Sequence, residues 1–245
     1  MDNRKIKIRC DYEKIDVRLS ALLVIQAFTI FIAIPLGAGR SSAHVLLDVC
    51  HLSFAVVCVL TFTRQRRLQA GLLASLALGV LGPMAGRHIF TGAQIAGGEG
   101  HEFIALIAFA FTSAVTFIVL RHIFGPGRVT AHRVQGAVLV YLNVAALFSI
   151  VYGIILAHAP DAIKLASGTS IQLTSGVQAS ALSYFSLSTL TTTGYGDIVP
   201  VHPFVRGLAN LESVIGQLFP ATLLARIVAL HVAHSNDNSD GREPA

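Results

Sequence analysis

Apolar residues run along this chain in long stretches, separated by short clusters of charge, glycine and proline. A helix that crosses the hydrocarbon core of a bilayer needs about 20 mostly apolar residues. Six stretches come close to that length or pass it: residues 19–36, 44–62, 68–86, 102–124, 134–158 and 204–232. A seventh, 177–190, reaches about two-thirds of it and predicts a short re-entrant helix. That helix should start at Thr174 or Ser175, both good N-caps, and end at Leu190. A Gly125-Pro126-Gly127 break divides the chain. The expected organisation is a segment at 1–18, a four-span domain at 19–133, a second membrane unit at 134–233 and a polar, disordered tail at 234–245. The expected fold class is an all-α membrane protein with six transmembrane helices and the re-entrant element between the fifth and sixth.

Composition agrees, with 53 % hydrophobic and 13 % charged residues and a mean hydropathy of +0.67. A soluble domain carries about 25 % charged residues. Lys and Arg are unevenly placed. Arg4, Lys5, Lys7, Arg9, Lys14, Arg18, Arg64, Arg66, Arg67, Arg121, Arg128, Arg133, Arg226 and Arg242 fall on one side of the six-span scheme, leaving Arg40, Arg87, Lys164 and Arg206 on the other. Positive loops stay in the cytoplasm, so both termini are expected there, in a multi-pass protein of the cell membrane. The net charge of +5 is then topological and points to no nucleic acid. Acidic Asp11, Glu13 and Asp16 among the basic N-terminal residues exclude a signal peptide. Cys10, Cys50 and Cys58 form neither a disulfide framework nor a metal pattern.

Between the fifth and sixth stretches the chain reads Thr191-Thr192-Thr193-Gly194-Tyr195-Gly196-Asp197. This resembles the filter signature of tetrameric potassium channels, and the resemblance, to the six-span bacterial members, covers roughly residues 134–232. A potassium ion leaves water only where carbonyl oxygens replace it, so successive carbonyls must face one axis. An ordinary strand alternates its carbonyls, whereas Gly194 and Gly196 allow the positive φ that turns them. The resemblance implies that the carbonyls of Thr192, Thr193, Gly194 and Tyr195 coordinate K+, with the Thr192 hydroxyl closing the innermost site. It implies support from Gly196, Asp197, Tyr184, Phe185 and Ser188. Tyr195 would lie against Tyr184 and Phe185, and Tyr184 is the nearest partner for Asp197. Ser188 stands where some members place a carboxylate. Thr193 stands where valine is commonest, so its hydroxyl needs a partner if buried. Each chain supplies one strand, and a lone copy would leave its carbonyls unpartnered in the membrane. A homotetramer in a lipid bilayer follows, with K+ as permeant ligand and no organic cofactor or substrate.

By the same resemblance Gly216 falls at a hinge position. Pro220 lacks the N–H that would bond the Gly216 carbonyl, so a kink or gating hinge is expected, with helix packing as the alternative. Gln217, Pro220, Leu224 and Val228 are expected to line the cavity. The C-terminal end of the short helix would favour a cation there through its dipole. Glu212 and Asp48, the latter three residues before His51, are intramembrane acids that need partners. Arg226 should snorkel to lipid headgroups, and His202 should face the outer mouth. Residues 103–120 carry no Lys or Arg, so the arginine ladder that strong voltage gating needs is missing. The tail is expected to be too short for a ligand-binding domain, which leaves the membrane part, the filter or a separate partner to gate. The function expected is passive K+ conduction without catalysis. The alternatives are a weakly selective cation channel or a non-conducting regulatory subunit.

Overall fold

The computed structural model describes residues 19–37, 49–54, 56–58, 99–124, 131–171 and 175–240. Helix α1 spans Leu19–Leu36 and opens into a π-turn at Thr29–Ala33. The cause is local: Pro35 offers no N–H to the Phe31 carbonyl, and the Thr29 hydroxyl bonds back to the Ile25 carbonyl at 2.7 Å. Helix α2 covers Val49–Cys58, α3 Glu99–Ile123 and α4 Ala131–His158. A short strand β1, Ile163–Leu165, precedes α5, Ser175–Leu190. Strand β2, Ile198–Pro200, then leads into α6, Pro203–Asp240.

Two apolar cores divide the molecule, and α4 contributes to both. Its N-terminal half packs Ala137, Leu139 and Val140 with Leu19 and Leu22 of α1, Phe54 and Cys58 of α2 and Val115, Val119 and Ile123 of α3. Its C-terminal half packs Tyr152 and Leu156 with Leu182 and Phe185 of α5, Ile163, Ile171 and Ile198 around the strands, and Val205 and Ala209 of α6. Strands β1 and β2 pair antiparallel, Ile163 with Pro200 and Leu165 with Ile198. The segment after α4 thereby grips the chain just beyond Asp197. At the other end of the molecule Arg226 Nη2 donates to the Phe124 carbonyl at 3.0 Å, and its guanidinium lies 4.8 Å from the Phe124 ring centre. Arg226 thus closes the end of α3 against α6, a contact within the protein where headgroup snorkelling was expected.

The six-span expectation is corrected. Among the described residues three helices are long and apolar enough to cross a membrane: Leu19–Leu36, Arg133–His158 and Pro203–Arg226. The stretch at 44–62 appears only as Val49–Cys58, and the apolar part of α3, Ala105–Arg121, falls short of a full span. The stretch at 68–86, Asp48 and the segment 1–18 lie outside the described residues. In α3 the helix is long enough, at 25 residues, but its apolar part is confined to Ala105–Arg121, so an apolar stretch read from the sequence overstates the length that lipid would accept. The expected homotetrameric filter architecture is likewise not evident in the chain, because one copy presents one edge of carbonyls and no closed ring. What stands is an all-α membrane protein whose one departure among the described residues is the β1–β2 pair. Helix α6 also runs on to Asp240, into the stretch 234–245 read as disordered. Extending a formed helix is far easier than starting one, so the polar run can follow it.

Candidate functional site

The last four carbonyls of any α-helix lack partners inside it, and those of α5 organise the loop that follows. Leu187 O accepts from the Thr191 N–H and the Thr191 hydroxyl, at 2.9 and 2.7 Å. Ser188 O accepts from both Thr193 N and Gly194 N, at 2.8 and 3.1 Å. Thr189 O accepts from Thr192 N at 2.9 Å and from the Ser213 hydroxyl at 3.1 Å. Leu190 O accepts from the Tyr141 hydroxyl at 3.1 Å. Protein donors therefore reach every one of these carbonyls.

Backbone φ is positive at Thr192 (57°), Gly194 (55°) and Gly196 (79°), every second residue of the loop. Alternating handedness gathers successive amides on one side. In a trans peptide the N–H and the preceding C=O point in opposite directions. Since the amides of Thr193 and Gly194 both face Ser188 O, the carbonyls of Thr192 and Thr193 face away from α5. Among the described residues no donor reaches the carbonyls of Thr192, Thr193, Gly194 or Tyr195, and Thr191 through Asp197 are all exposed. Positive φ at a threonine is the feature that the sequence did not announce.

Behind the loop, the Tyr195 ring stacks on Tyr184 at 5.7 Å and 10° and stays 69 % exposed. Phe185 is buried and meets Tyr152 of α4 edge-on at 5.1 Å, away from Tyr195. The Tyr184 phenol donates a hydrogen bond to the Asp197 carboxylate. Asp197 Oδ1 also accepts from Ile198 N at 3.0 Å, and its carbonyl from Ala166 N at 2.8 Å. The Ser188 hydroxyl is spent within its own helix, on Phe185 O at 2.9 Å. The Thr193 hydroxyl lies 2.9 Å from that of Thr191, whose proton goes to Leu187 O. Thr193 therefore donates, and the partner its hydroxyl needed is the neighbouring threonine.

Helix α6 meets the loop from the other side. The Gln217 amide donates to the Thr192 hydroxyl at 2.7 Å. Gly216 is buried where a Cβ would stand 1.7 Å from Leu190 O, so the α6 backbone lies directly on the end of α5. α6 continues as one helix through Pro220. Pro220, Leu224 and Val228 lie exposed along α6, with Leu224 at 63 % and Val228 at 53 %. Glu212 is fully buried. Its Oε2 accepts from the Tyr152 hydroxyl at 2.7 Å and its Oε1 from the Ser186 hydroxyl, which also reaches Ala145 O at 2.8 Å. One carboxyl thus joins α4, α5 and α6. His202 sits at the head of α6, where its Nδ1 accepts from Phe204 N at 3.2 Å.

Sequence reasoning missed Tyr141, Tyr152, Ser186 and Ser213. A tyrosine or serine in an apolar helix is common enough to give no signal, and only the unpaired Glu212 hinted that donors must be near. Among the described residues no group of three or more His, Cys, Asp or Glu could hold a metal ion.

Residues 162–232, from β1 through the loop into α6, match a family model described as ion channel. No curated protein and no solved structure matches the chain. The match covers the second unit alone and does not support the resemblance to six-span channels, given three candidate spans among the described residues. Over residues 162–232 the chain is similar to ion channels, in a protein with three candidate membrane spans among the described residues.

Proposed function

We propose that the chain forms a homotetrameric, K+-selective pore that conducts passively. The observation that carries this reading is the run of alternating left-handed residues from Thr192 to Gly196, with unpartnered carbonyls turned from α5. Four such strands around an axis would give stacked rings of oxygen able to replace a hydration shell. Two further observations support it. The loop is exposed in a single chain although it is tied down on its other side at Ser188, Asp197 and Thr192. Leu211, Val214, Leu218, Leu224 and Val228 of α6 are exposed too, an apolar surface that neighbouring copies would cover. Thr193 favours selectivity over a weakly selective pore, since its hydroxyl is bound behind the loop instead of loosening it. No arginine interrupts α3 between Ala105 and Leu120, so steep voltage dependence is not expected.

Potassium flux from proteoliposomes tests the reading, with sodium as the competing ion and the mass of the assembly measured alongside. The expected result is a four-copy assembly with K+ flux at least tenfold above Na+, equivalent to about 1.4 kcal/mol. Gly196→Ala is the control. Its φ of 79° costs a side chain about 1–2 kcal/mol, and the K+ preference should fall severalfold. Dimers or trimers, absent K+ flux, or equal Na+ and K+ flux would overturn the proposal. A four-copy assembly without flux would instead point to a non-conducting subunit.

A further inference from the structure

We infer that Gln217 is a positioning residue that orients the Thr192 hydroxyl for the permeating cation; the inference rests on the function proposed above. A threonine hydroxyl has one proton and two lone pairs. The Thr192 proton goes to the Thr191 carbonyl at 2.7 Å. The Gln217 N–H takes one lone pair, also at 2.7 Å. Because the hydroxyl's own proton is committed, Gln217 must present its amide nitrogen, so the bonding itself sets which way the carboxamide faces. One lone pair is left, and the two bonds fix its direction. Without Gln217 the hydroxyl could swing between lone pair and proton toward the ion.

Gln217 is itself held in place. Its neighbour Gly216 rests on the Leu190 carbonyl and Ser213, one turn earlier, bonds Thr189 O, so α6 has no freedom to slide along α5 here. The reach from α6 to Thr192 is therefore set by backbone contact, and the amide delivers that rigidity to a group at the loop's inner end. Thr192 needs it more than its neighbours do. It holds a left-handed φ without being glycine, and its carbonyl and hydroxyl are both left to the ion.

The test uses the full chain in its native assembly, with Gln217→Met, which keeps length and flexibility and removes the donor. Gln217→Asn, a carboxamide too short to reach, is the second variant. Two quantities are read: the K+:Na+ flux ratio, and the melting temperature in K+ against that in Na+, since a ligand that binds only the folded state raises it. Both variants should lower the flux ratio by roughly three- to tenfold, the range a neutral hydrogen bond spans. Both should shrink the rise produced by K+, so that the melting temperature falls further in K+ than in Na+. A merely structural role would lower the melting temperature equally in both salts, and that result would overturn the inference, as would a full flux ratio in both variants. A wild-type protein without K+ preference in either measurement would instead sink the proposed function itself.

Discussion

Gly216→Ala should abolish K+ flux and sharply destabilise the protein, although it adds one methyl group to a helix. The new Cβ would stand 1.7 Å from Leu190 O, 2.7 Å from its carbonyl carbon and 3.1 Å from its Cα. All three are backbone atoms at the end of α5, so no flexible side chain can turn aside. α6 would have to move off α5, at the upper end of the about 1–3 kcal/mol typical of overpacking or beyond it. The movement would take with it the bonds of Tyr141 to Leu190, Ser213 to Thr189 and Gln217 to Thr192. Gly207→Ala is the matched control on the same helix. Nothing lies within 4 Å of a Cβ there, and alanine in place of glycine in an exposed helix gains up to about 1 kcal/mol. Thermal melts and flux assays on the two variants check the contrast. Wild-type behaviour of Gly216→Ala would refute the contact. The contact supplies the packing explanation of Gly216 that the sequence had left beside the hinge.

Glu212→Ala should be the second large effect. Tyr152 is fully buried, and the Glu212 carboxyl accepts its hydroxyl proton. Removing the acceptor leaves that hydroxyl unsatisfied, at about 1–3 kcal/mol, and opens a cavity where three helices meet. Ser186 suffers less, because Ala145 O remains within 2.8 Å. Glu212→Gln keeps shape and one carbonyl acceptor, so its loss should be much the smaller of the two. Melting temperatures that rank wild type, then Gln, then Ala are expected. Equal stability of Ala and Gln would show that the carboxyl does not bind the helices together.

How much of this could be read from residues alone depends on the kind of signal. The short helix and the end of α4 in the second unit were legible because each is an apolar run closed by clear punctuation, whereas α6 overran its apolar stretch to Asp240. The short helix occupies Ser175–Leu190 and α4 ends at His158, where the sequence marks their ends. Of the earlier stretches, residues 19–36 form α1 as their hydropathy marks it, whereas 44–62 and 68–86 lie partly or wholly outside the described residues. Gly216 shows a second limit. Spacing can locate a conspicuous glycine, but whether it bends or touches depends on what faces it, here a carbonyl 26 residues earlier. Thr192 shows a third, since glycine announces positive φ and threonine hides it. The Glu212 cluster was half visible: an acid in an apolar helix demands donors, yet Tyr152 and Ser186 look like any other residues of their helices.

The two ends of the loop are held by different combinations of bonds. Beyond Asp197 the fastening is main chain to main chain: Ala166 to Asp197, the β1–β2 ladder, and Val201 and His202 to Ala162. At the inner end, main-chain bonds to Leu187, Ser188 and Thr189 are supplemented by side chains, Tyr141 of α4 and Ser213 and Gln217 of α6. Side-chain exchange cannot delete a main-chain bond, apart from the arrival of proline, whereas one codon change removes an amide or a hydroxyl. Heritable variation in this protein therefore has few ways to alter the outer fastening and many to retune the inner one, where differences in ion preference between descendants of this gene should accumulate.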